Sequence, residues 1–393
     1  IKRRHYCIRL GKIRISKSFE LIATMNHTLS NRLSQFMTHF QVDLWDWQQE
    51  DPLELTPKLI DVIKVLEFVN IERFVPSRQG FVGRPAEYRS PIARAFVAKA
   101  VLDLPTTEAL IDRLQSDLSL RRICGFQSRD DVPGSWTFSR AFAEFSRLNL
   151  PDTAHNMLIR RELGDQIMGH LLHDSTAIEA REQPIAKPKP KPTPKEKRPR
   201  GRPRQGEERP PEPETVLEKQ QHQTLEEMRS EIPKACDVGC KKNSQGYKET
   251  WIGYKLHIST ADGDIPIAAL LSSASTHDSQ VALPLMKLCA QRVTSLYDLA
   301  DSAYCSRILR EESRQLGHVP LIDHNPRRGE KIEFLPHEAE RYKARTGVER
   351  SNSALKDNRG GRHVRVRGDL KVYAHLMYGI LVIAAEQLLR LLN

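Results

Sequence analysis

The chain has 393 residues, enough for two or three domains with their own hydrophobic cores. Hydrophobic residues make up 39% and charged residues 28%, which predicts a soluble globular protein; no apolar run approaches the roughly 20 residues that span a bilayer. The net charge of +11 favours a polyanionic partner, although an ordinary basic protein is an equally good interpretation of charge alone. The six scattered cysteines suit a reducing cytoplasm better than a disulfide framework.

The N-terminal part of the sequence is predicted to be helical. Residues 1–25 are a possible extension to which we assign no function, and residues 26–160 are predicted to form an all-α domain for DNA binding and assembly. Apolar side chains recur there at helical spacing, and Ser and Thr stand where helices would begin. The predicted helices cover residues 59–66, 90–102, 108–120 and a segment after Ser135. Short helices joined by tight turns can contain a helix-turn-helix, but no recognition helix is defined.

Residues 181–245 are predicted to be a basic, proline-rich, disordered insertion. Residues 184–213 hold ten of the 24 prolines, and no Phe, Trp or Tyr occurs from 180 to 245. Such a segment buries too little apolar surface to fold. Its Pro-Arg-Gly-Arg-Pro-Arg stretch resembles an AT-hook, in which Arg200 and Arg202 would enter the narrow minor groove of A/T-rich DNA. A plain basic linker is an equally good interpretation.

The remainder, residues 165–392, alternates predicted strands and helices. The order is three strands, a helix, a strand, a helix, a strand and two helices, which predicts an α/β fold with helices on the faces of a sheet. The predicted strands cover 171–178, 251–260, 265–272, 295–300 and 319–323. The predicted helices cover 277–292, 307–316, 339–356 and 373–392.

Three acidic residues stand out by their placement in this pattern. Asp174 lies in the first predicted strand, Asp301 follows the fourth, and Glu349 lies on the helix after the fifth. Carboxylates brought together from neighbouring strands and a helix can hold divalent cations for an in-line phosphoryl displacement. Taken singly, each also has a structural interpretation: a solvated strand residue, a turn former before Ser302, or an i, i+4 partner of Arg345.

The helix that carries Glu349 strengthens the catalytic interpretation. Tyr342, Arg345, Glu349 and Lys356 fall within roughly 60° of one another on an α-helix, at about 100° per residue. One stripe thus combines a phenol, a guanidinium, a carboxylate and an ammonium. A structural helix has no need of that mixture, whereas a protein that processes DNA ends could use its cations on phosphate oxygens.

The sequence resembles the DDE transposases of bacterial insertion sequences. Their Tyr-x2-Arg-x3-Glu-x6-Lys signature is matched by this stripe, and residues 251–257, 274–279 and 345–353 also look like that family. In the N-terminal half, Thr137-Phe138-Ser139-Arg140 resembles the helical domain that precedes the catalytic domain. The resemblance covers about residues 50–390; the long basic insertion is a departure from the family pattern.

The resemblance implies a transposase with an RNase H-like mixed sheet. Asp174, Asp301 and Glu349 would bind Mg²⁺, for which Mn²⁺ could substitute, and Tyr342, Arg345 and Lys356 would contact the transposon ends. The expected partners are double-stranded DNA and further copies of the chain, in the bacterial cytoplasm at the nucleoid. A host nuclease of the same fold and an inactive AT-hook regulator are the alternatives. For Cys236 and Cys240, unpaired thiols are favoured over a zinc site, which needs four well-spaced ligands.

Overall fold

We describe the fold from a computed structural model, which covers residues 55–76, 89–184, 214–242, 245–326 and 329–392. Two predictions lie outside the described residues. They are the possible extension at residues 1–25 and the AT-hook with Arg200 and Arg202.

The N-terminal part of the described chain is helical. Its α-helices are α1 (Pro57–Val69), α2 (Arg89–Val101), α3 (Thr107–Ser116), α4 (Leu118–Cys124), α5 (Ser135–Arg147) and α6 (Leu150–Leu163). Helix α3 begins at the predicted cap, where Thr106 Oγ1 accepts a hydrogen bond from the Ala109 amide (3.0 Å). The single helix predicted over 108–120 is wrong, because Asp117 adopts an extended conformation and caps α4 through the Leu120 amide (2.9 Å).

A mixed sheet forms the centre of the C-terminal part. Its strands are β1 (Ile167–Glu179), β2 (Asp237–Lys242), β3 (Lys248–Ala261), β4 (Ile265–Ser273), β5 (Thr294–Ala300) and β6 (Val319–Ile322). Strand β3 pairs antiparallel with β1, β2 and β4, whereas β1, β5 and β6 are parallel to one another. Strand β1 therefore lies between β3 and β5, in the middle of the sheet. All five predicted strands are present, with ends that differ by at most four residues.

The end of the predicted insertion is ordered, which corrects the prediction of disorder through residue 245. Helices α7 (Val216–Gln221) and α8 (Leu225–Glu231) and strand β2 lie within it. Both helices start with a capping box: Thr215 pairs with Glu218, and Thr224 pairs with Glu227. The prediction of disorder was based on the composition of the whole segment and overlooked these local capping sequences. Residues 185–213, the rest of the insertion, lie outside the described residues.

The remaining helices flank the sheet. They are α9 (Ser279–Ala290), α10 (Arg307–Gln315), α11 (Pro336–Tyr342), α12 (Thr346–Asn358) and α13 (Asp369–Leu392). The helix predicted over 339–356 is not continuous, because a 3-10 turn at Lys343–Arg345 separates α11 from α12. Helix α13 is long and apolar enough to cross a membrane by length and composition, but 78% of its most apolar 18-residue window is buried inside the protein.

Helix α13 joins the helical part and the sheet into one hydrophobic core. It packs against α2, α5 and α6 on one side and against β4 on the other. The Phe96 ring of α2 lies 5.8 Å from Tyr378 of α13 and 5.0 Å from Phe142 of α5. Burial of such aromatic clusters supplies much of the stabilisation of a fold. The two predicted domains thus share a continuous core instead of having separate ones.

A buried polar network makes a second link between the two parts. Arg292, which precedes β5, donates to Asp152 Oδ1 (3.0 Å) and His155 Nδ1 (3.1 Å) of α6 and to the Ile267 carbonyl of β4 (2.9 Å). His155 Nε2 in turn donates to the Pro266 carbonyl (2.9 Å). Burial and the neighbouring Arg292 lower the pKa of His155 to about 3, so this imidazole is neutral at physiological pH.

This network predicts a large loss of stability for Arg292→Ala. The substitution leaves the Asp152 carboxylate with a buried charge that has lost its main partner, which should lower the free energy of unfolding by about 3–5 kcal/mol. Arg307→Ala is the control, because Arg307 makes only an exposed i, i+4 pair with Glu311, worth about 0.5 kcal/mol or less. Urea denaturation of both variants provides the measurement; equal losses would contradict a structural role of the network.

Candidate active site

Asp174 and Asp301 lie side by side on neighbouring parallel strands. In the register of β1 with β5, His173 is opposite Ala300, so the next residue on each strand is one of these acids. Asp301 also starts a 3-10 turn (Ser302–Tyr304) and accepts a hydrogen bond from the Ala303 amide (2.9 Å) through Oδ1. Its position is therefore fixed both by the strand and by the turn that ends it.

Helix α12 brings Glu349 to the same end of these strands. Val348 is buried against Leu172 and Leu299 of the sheet, and Glu349, the next residue, contacts the same guanidinium as the two aspartates. Gly347 favours the close approach, because a Cβ there would lie 2.7 Å from Leu172 Cδ1 and 2.9 Å from Asp264 Oδ1 and these side chains would have to shift. Packing of α12 on the sheet thus supplies the third predicted carboxylate.

Hydrogen bonds and an ion pair hold α12 in this position. Asn352 Nδ2 donates to Asp174 Oδ2 (2.9 Å), which ties the helix directly to one of the acids. Arg350 makes a two-pronged contact with both oxygens of Asp264 (2.6 and 2.7 Å) in the turn between β3 and β4. Ser351 Oγ donates to the Asp264 carbonyl (3.3 Å). The helix is anchored by three consecutive residues.

The guanidinium of Arg345 contacts all three carboxylates. Nη1 donates to Glu349 Oε1 (2.7 Å), while Nη2 lies 3.8 Å from Asp174 Oδ1 and 3.9 Å from Asp301 Oδ2. Arg345 is therefore the cation on which the predicted catalytic acids converge. The sequence predicted its pairing with Glu349, but not its contacts with the two aspartates.

Burial perturbs the ionisation of the two aspartates. It raises the pKa of Asp174 to about 6, with Arg345 acting in the opposite direction and Asp301 adding to the increase. Burial likewise raises the pKa of Asp301. Carboxylates with such pKa values are ionised less easily than in water, and a nearby cation favours their charged form. A positive charge between Asp174 and Asp301 therefore favours the ionised form of both carboxyl groups.

The three carboxylates are ligands of the kind that a hard divalent cation binds, but their side chains converge on the guanidinium of Arg345. Mg²⁺ and Mn²⁺ favour carboxylate oxygens, which all three acids provide. Within the described part of the chain, no three His, Cys, Asp or Glu side chains are close enough together to hold a metal ion. Cys236 and Cys240 form no disulfide in the described part of the chain.

Tyr342 lies against the strand that carries Asp301. Its hydroxyl donates to the Ala300 carbonyl (3.2 Å), and its ring packs on Phe334 with ring centroids 4.8 Å apart. Burial raises the pKa of this phenol to about 12, so it remains a hydrogen-bond donor at neutral pH. In this arrangement the phenol holds the end of β5, one residue before the catalytic candidate.

Lys356 lies beyond the acids, near the other end of α12. Seven residues separate it from Glu349, about 10 Å along a helix axis. Burial lowers its pKa, and the charges of Lys241 and Arg362 lower it further. These three cations form a basic cluster beyond the acidic site, in which Lys241 pairs with Glu249 and Arg362 with Asp357. Of the predicted stripe, Arg345 and Glu349 therefore lie within the acid cluster, whereas Lys356 lies outside it.

Three residues near the acids were not identified as site residues from the sequence. Lys255 of β3 donates to Asp278 Oδ1 and to the Thr276 carbonyl (both 2.9 Å). Asp278 stands at the N-cap position of α9 but makes no side-chain cap bond, and it adds negative charge near Asp174 and Asp301. Asn352 stands three residues after Glu349, a spacing that would have placed it on the same helix face.

Two known transposase families match the chain. A family described as "Transposase DDE domain" matches residues 165–384, and one described as "Transposase domain (DUF772)" matches residues 43–144. No curated protein and no solved structure gives a significant match. The mixed sheet flanked by helices is the RNase H-like fold of DDE transposases. The chain belongs to the DDE transposase family, whose members process DNA in transposition and recombination.

The geometry of Tyr342 predicts that Tyr342→Phe lowers DNA cleavage without weakening DNA binding. Loss of one hydrogen bond to Ala300 should cost about 1 kcal/mol of stability and loosen the end of β5 beside Asp301. Tyr297→Phe is the control, because Tyr297 lies on the same strand and uses its ring, which packs 4.1 Å from the Arg341 guanidinium. Cleavage and binding assays on one DNA substrate separate the two effects. A fall in affinity alone would instead favour a direct DNA contact.

Proposed function

We propose that this transposase cleaves DNA at the terminal inverted repeats of an insertion sequence and joins the resulting ends to target DNA. The observation that supports this best is the convergence of Asp174, Asp301 and Glu349, from two strands and a helix, on one cationic group. The acids are the residues proposed to bind Mg²⁺ or Mn²⁺. A bound divalent cation would stabilise charge on the attacking and leaving oxygens of a phosphoryl displacement.

Each acid has a distinct task in this proposal. Asp174, whose pKa is about 6, is mostly ionised at neutral pH and is fixed by the hydrogen bond from Asn352. Asp301 is fixed by the Ala303 amide and by the end of β5. The Glu349 side chain is 55% exposed, so it is the acid best able to adjust when DNA enters. Two fixed ligands and one adjustable ligand suit a site that must admit a large substrate.

DNA contacts are proposed for the basic cluster of Lys356, Lys241 and Arg362. Lysine ammonium groups bind phosphate oxygens as point charges, and each neutralised phosphate releases counterions. The cluster lies about 10 Å from Glu349 along α12, close enough for one DNA strand to reach both. Contacts of Arg200 and Arg202 with the minor groove remain a prediction outside the described residues. Assembly of several copies on the DNA ends also remains a prediction.

The catalytic proposal predicts that Asp174→Asn, Asp301→Asn and Glu349→Gln each abolish strand cleavage and strand transfer. Each change removes a charged oxygen ligand while keeping the side-chain shape, so DNA affinity should remain. The substrate is duplex DNA with the inverted repeats of the element, supplied with Mg²⁺ and a target plasmid. Products are separated on denaturing gels, which distinguish cut strands from joined ones.

Two nearby acids serve as controls for this experiment. Asp323→Asn alters a carboxylate that pairs with Lys331, and Glu340→Gln alters an exposed one that pairs with Lys343. Both variants should cut and join at wild-type rates. Wild-type cleavage by Asp301→Asn would contradict the assignment of the acids. Cleavage without joining by the wild-type protein would instead favour a nuclease.

The basic cluster predicts a separate effect on DNA affinity. Lys356→Ala should weaken binding to cleaved ends more than binding to uninterrupted duplex, because Lys356 lies beside the acids that hold the cut end. The slope of log affinity against log salt concentration should fall by about 1 for one lost phosphate contact. Lys343→Ala, on the exposed turn before α12, is the control. Fluorescence anisotropy at several salt concentrations measures both quantities; an unchanged slope would contradict the contact.

A further inference from the structure

We propose that Arg345 is a built-in counter-ion of the catalytic acids, which must be displaced before the site can bind its divalent cation. This inference rests on the proposed function, because it takes the same three acids as the ligands of the metal. It assigns to Arg345 a role in the protein before DNA or metal is bound. Metal loading is then an exchange of one cation for another.

The first support is the position of the guanidinium. It lies between carboxylates from β1, β5 and α12, where a shared metal ion would also have to lie. Among the described residues no three acids are close enough together to hold a metal ion, and the three candidate acids each contact Arg345 instead. The same carboxylates cannot fully bind both the guanidinium and a metal ion, so the two cations must compete for them.

The second support is that the guanidinium is held incompletely. Only the contact with Glu349, at 2.7 Å, has hydrogen-bond length; the contacts with Asp174 and Asp301, at 3.8 and 3.9 Å, are longer than hydrogen bonds. The Arg345 Nε is buried and has no hydrogen-bond partner. Mg²⁺ would bind the carboxylate oxygens at about 2.0–2.1 Å. A weakly held group is one that a divalent cation can replace.

Formal charge favours the exchange as well. Three ionised carboxylates carry a formal charge of −3, which the guanidinium reduces to −2 and which a divalent cation in its place would reduce to −1. The geometry also permits the movement. Arg345 lies at the end of a 3-10 turn, whereas α12 is held to the sheet separately by Arg350, Ser351 and Asn352. Its side chain can therefore leave while Glu349 stays in place.

The test compares Mn²⁺ binding by DNA-free protein, measured by calorimetry, in the wild type and in Arg345→Ala. If only a fraction of the wild-type protein has its acids available, its apparent affinity is reduced by that fraction. Coupling between two sites is commonly worth about 5–150-fold, so we expect Arg345→Ala to bind Mn²⁺ about tenfold more tightly. Arg345→Gln, which keeps more of the side-chain volume, should change the affinity in the same direction.

Thermal unfolding provides a second readout. In a metal chelator, Arg345→Ala should melt below the wild type, because its acids lack a counter-ion; excess Mn²⁺ should raise its melting temperature more than that of the wild type. Arg307→Ala is the matched control. It removes an arginine that, like Arg345, pairs with a carboxylate four residues later, Glu311, but that lies on α10 outside the acid cluster. It should keep the wild-type Mn²⁺ affinity.

Two unfavourable results have different meanings. Equal or weaker Mn²⁺ binding by both folded Arg345 variants, with binding abolished by Asp301→Asn, would overturn the counter-ion role alone. Mn²⁺ binding that survives Asp301→Asn in the Arg345→Ala background would overturn the assignment of the acids, and with it the proposed function. Tighter binding in both Arg345 variants but not in Arg307→Ala supports the exchange.

Discussion

The parallel pairing of β1 with β5 is the constraint on which the site depends. Its register sets Asp174 beside Asp301, and a shift of one residue would turn one of them to the opposite face of the sheet. Partial burial raises the pKa of both carboxylates, and the charge of Asp301 raises that of Asp174 further, so the pair resists ionisation. The guanidinium of Arg345 offsets that cost. Arg345 directly precedes α12, which carries Glu349, so one segment of the chain supplies both the positive charge and the third acid.

Helix α12 is positioned by features that have no role in chemistry themselves. Gly347 permits the close approach, Val348 fills the space against the sheet, and Arg350 fixes the helix to the β3–β4 turn. Only Asn352 reaches a catalytic candidate directly. This division is typical of active sites, in which reactive side chains need support from neighbours that lock their orientation. It also explains how Arg345 could move without displacing Glu349.

The helical part and the sheet are held together by two different means. Apolar packing around α13 joins them over a large area, and the Arg292 network adds directional bonds between α6, β4 and the start of β5. The prediction that the helical part binds DNA and the proposal that the sheet carries the catalytic acids both require a fixed relation between the two, because a small error in the position of a reacting group is costly in rate. A shared core provides that fixed relation without an interdomain hinge.

The sequence by itself determined the fold class, the positions of five strands, most helices and the three candidate acids. These follow from local patterns: apolar periodicity, capping residues and acids placed at strands or on a helix. Strand β2 and helices α7 and α8 were missed because the proline-rich, disordered segment was predicted to extend too far along the chain.

Only the tertiary structure decided which residues each helix face contacts. Periodicity placed Tyr342 and Arg345 on one stripe, but the Ala300 carbonyl and the two aspartates that they contact lie on strands far away in the sequence. Contacts of this kind depend on strand register and helix docking, which local patterns do not encode.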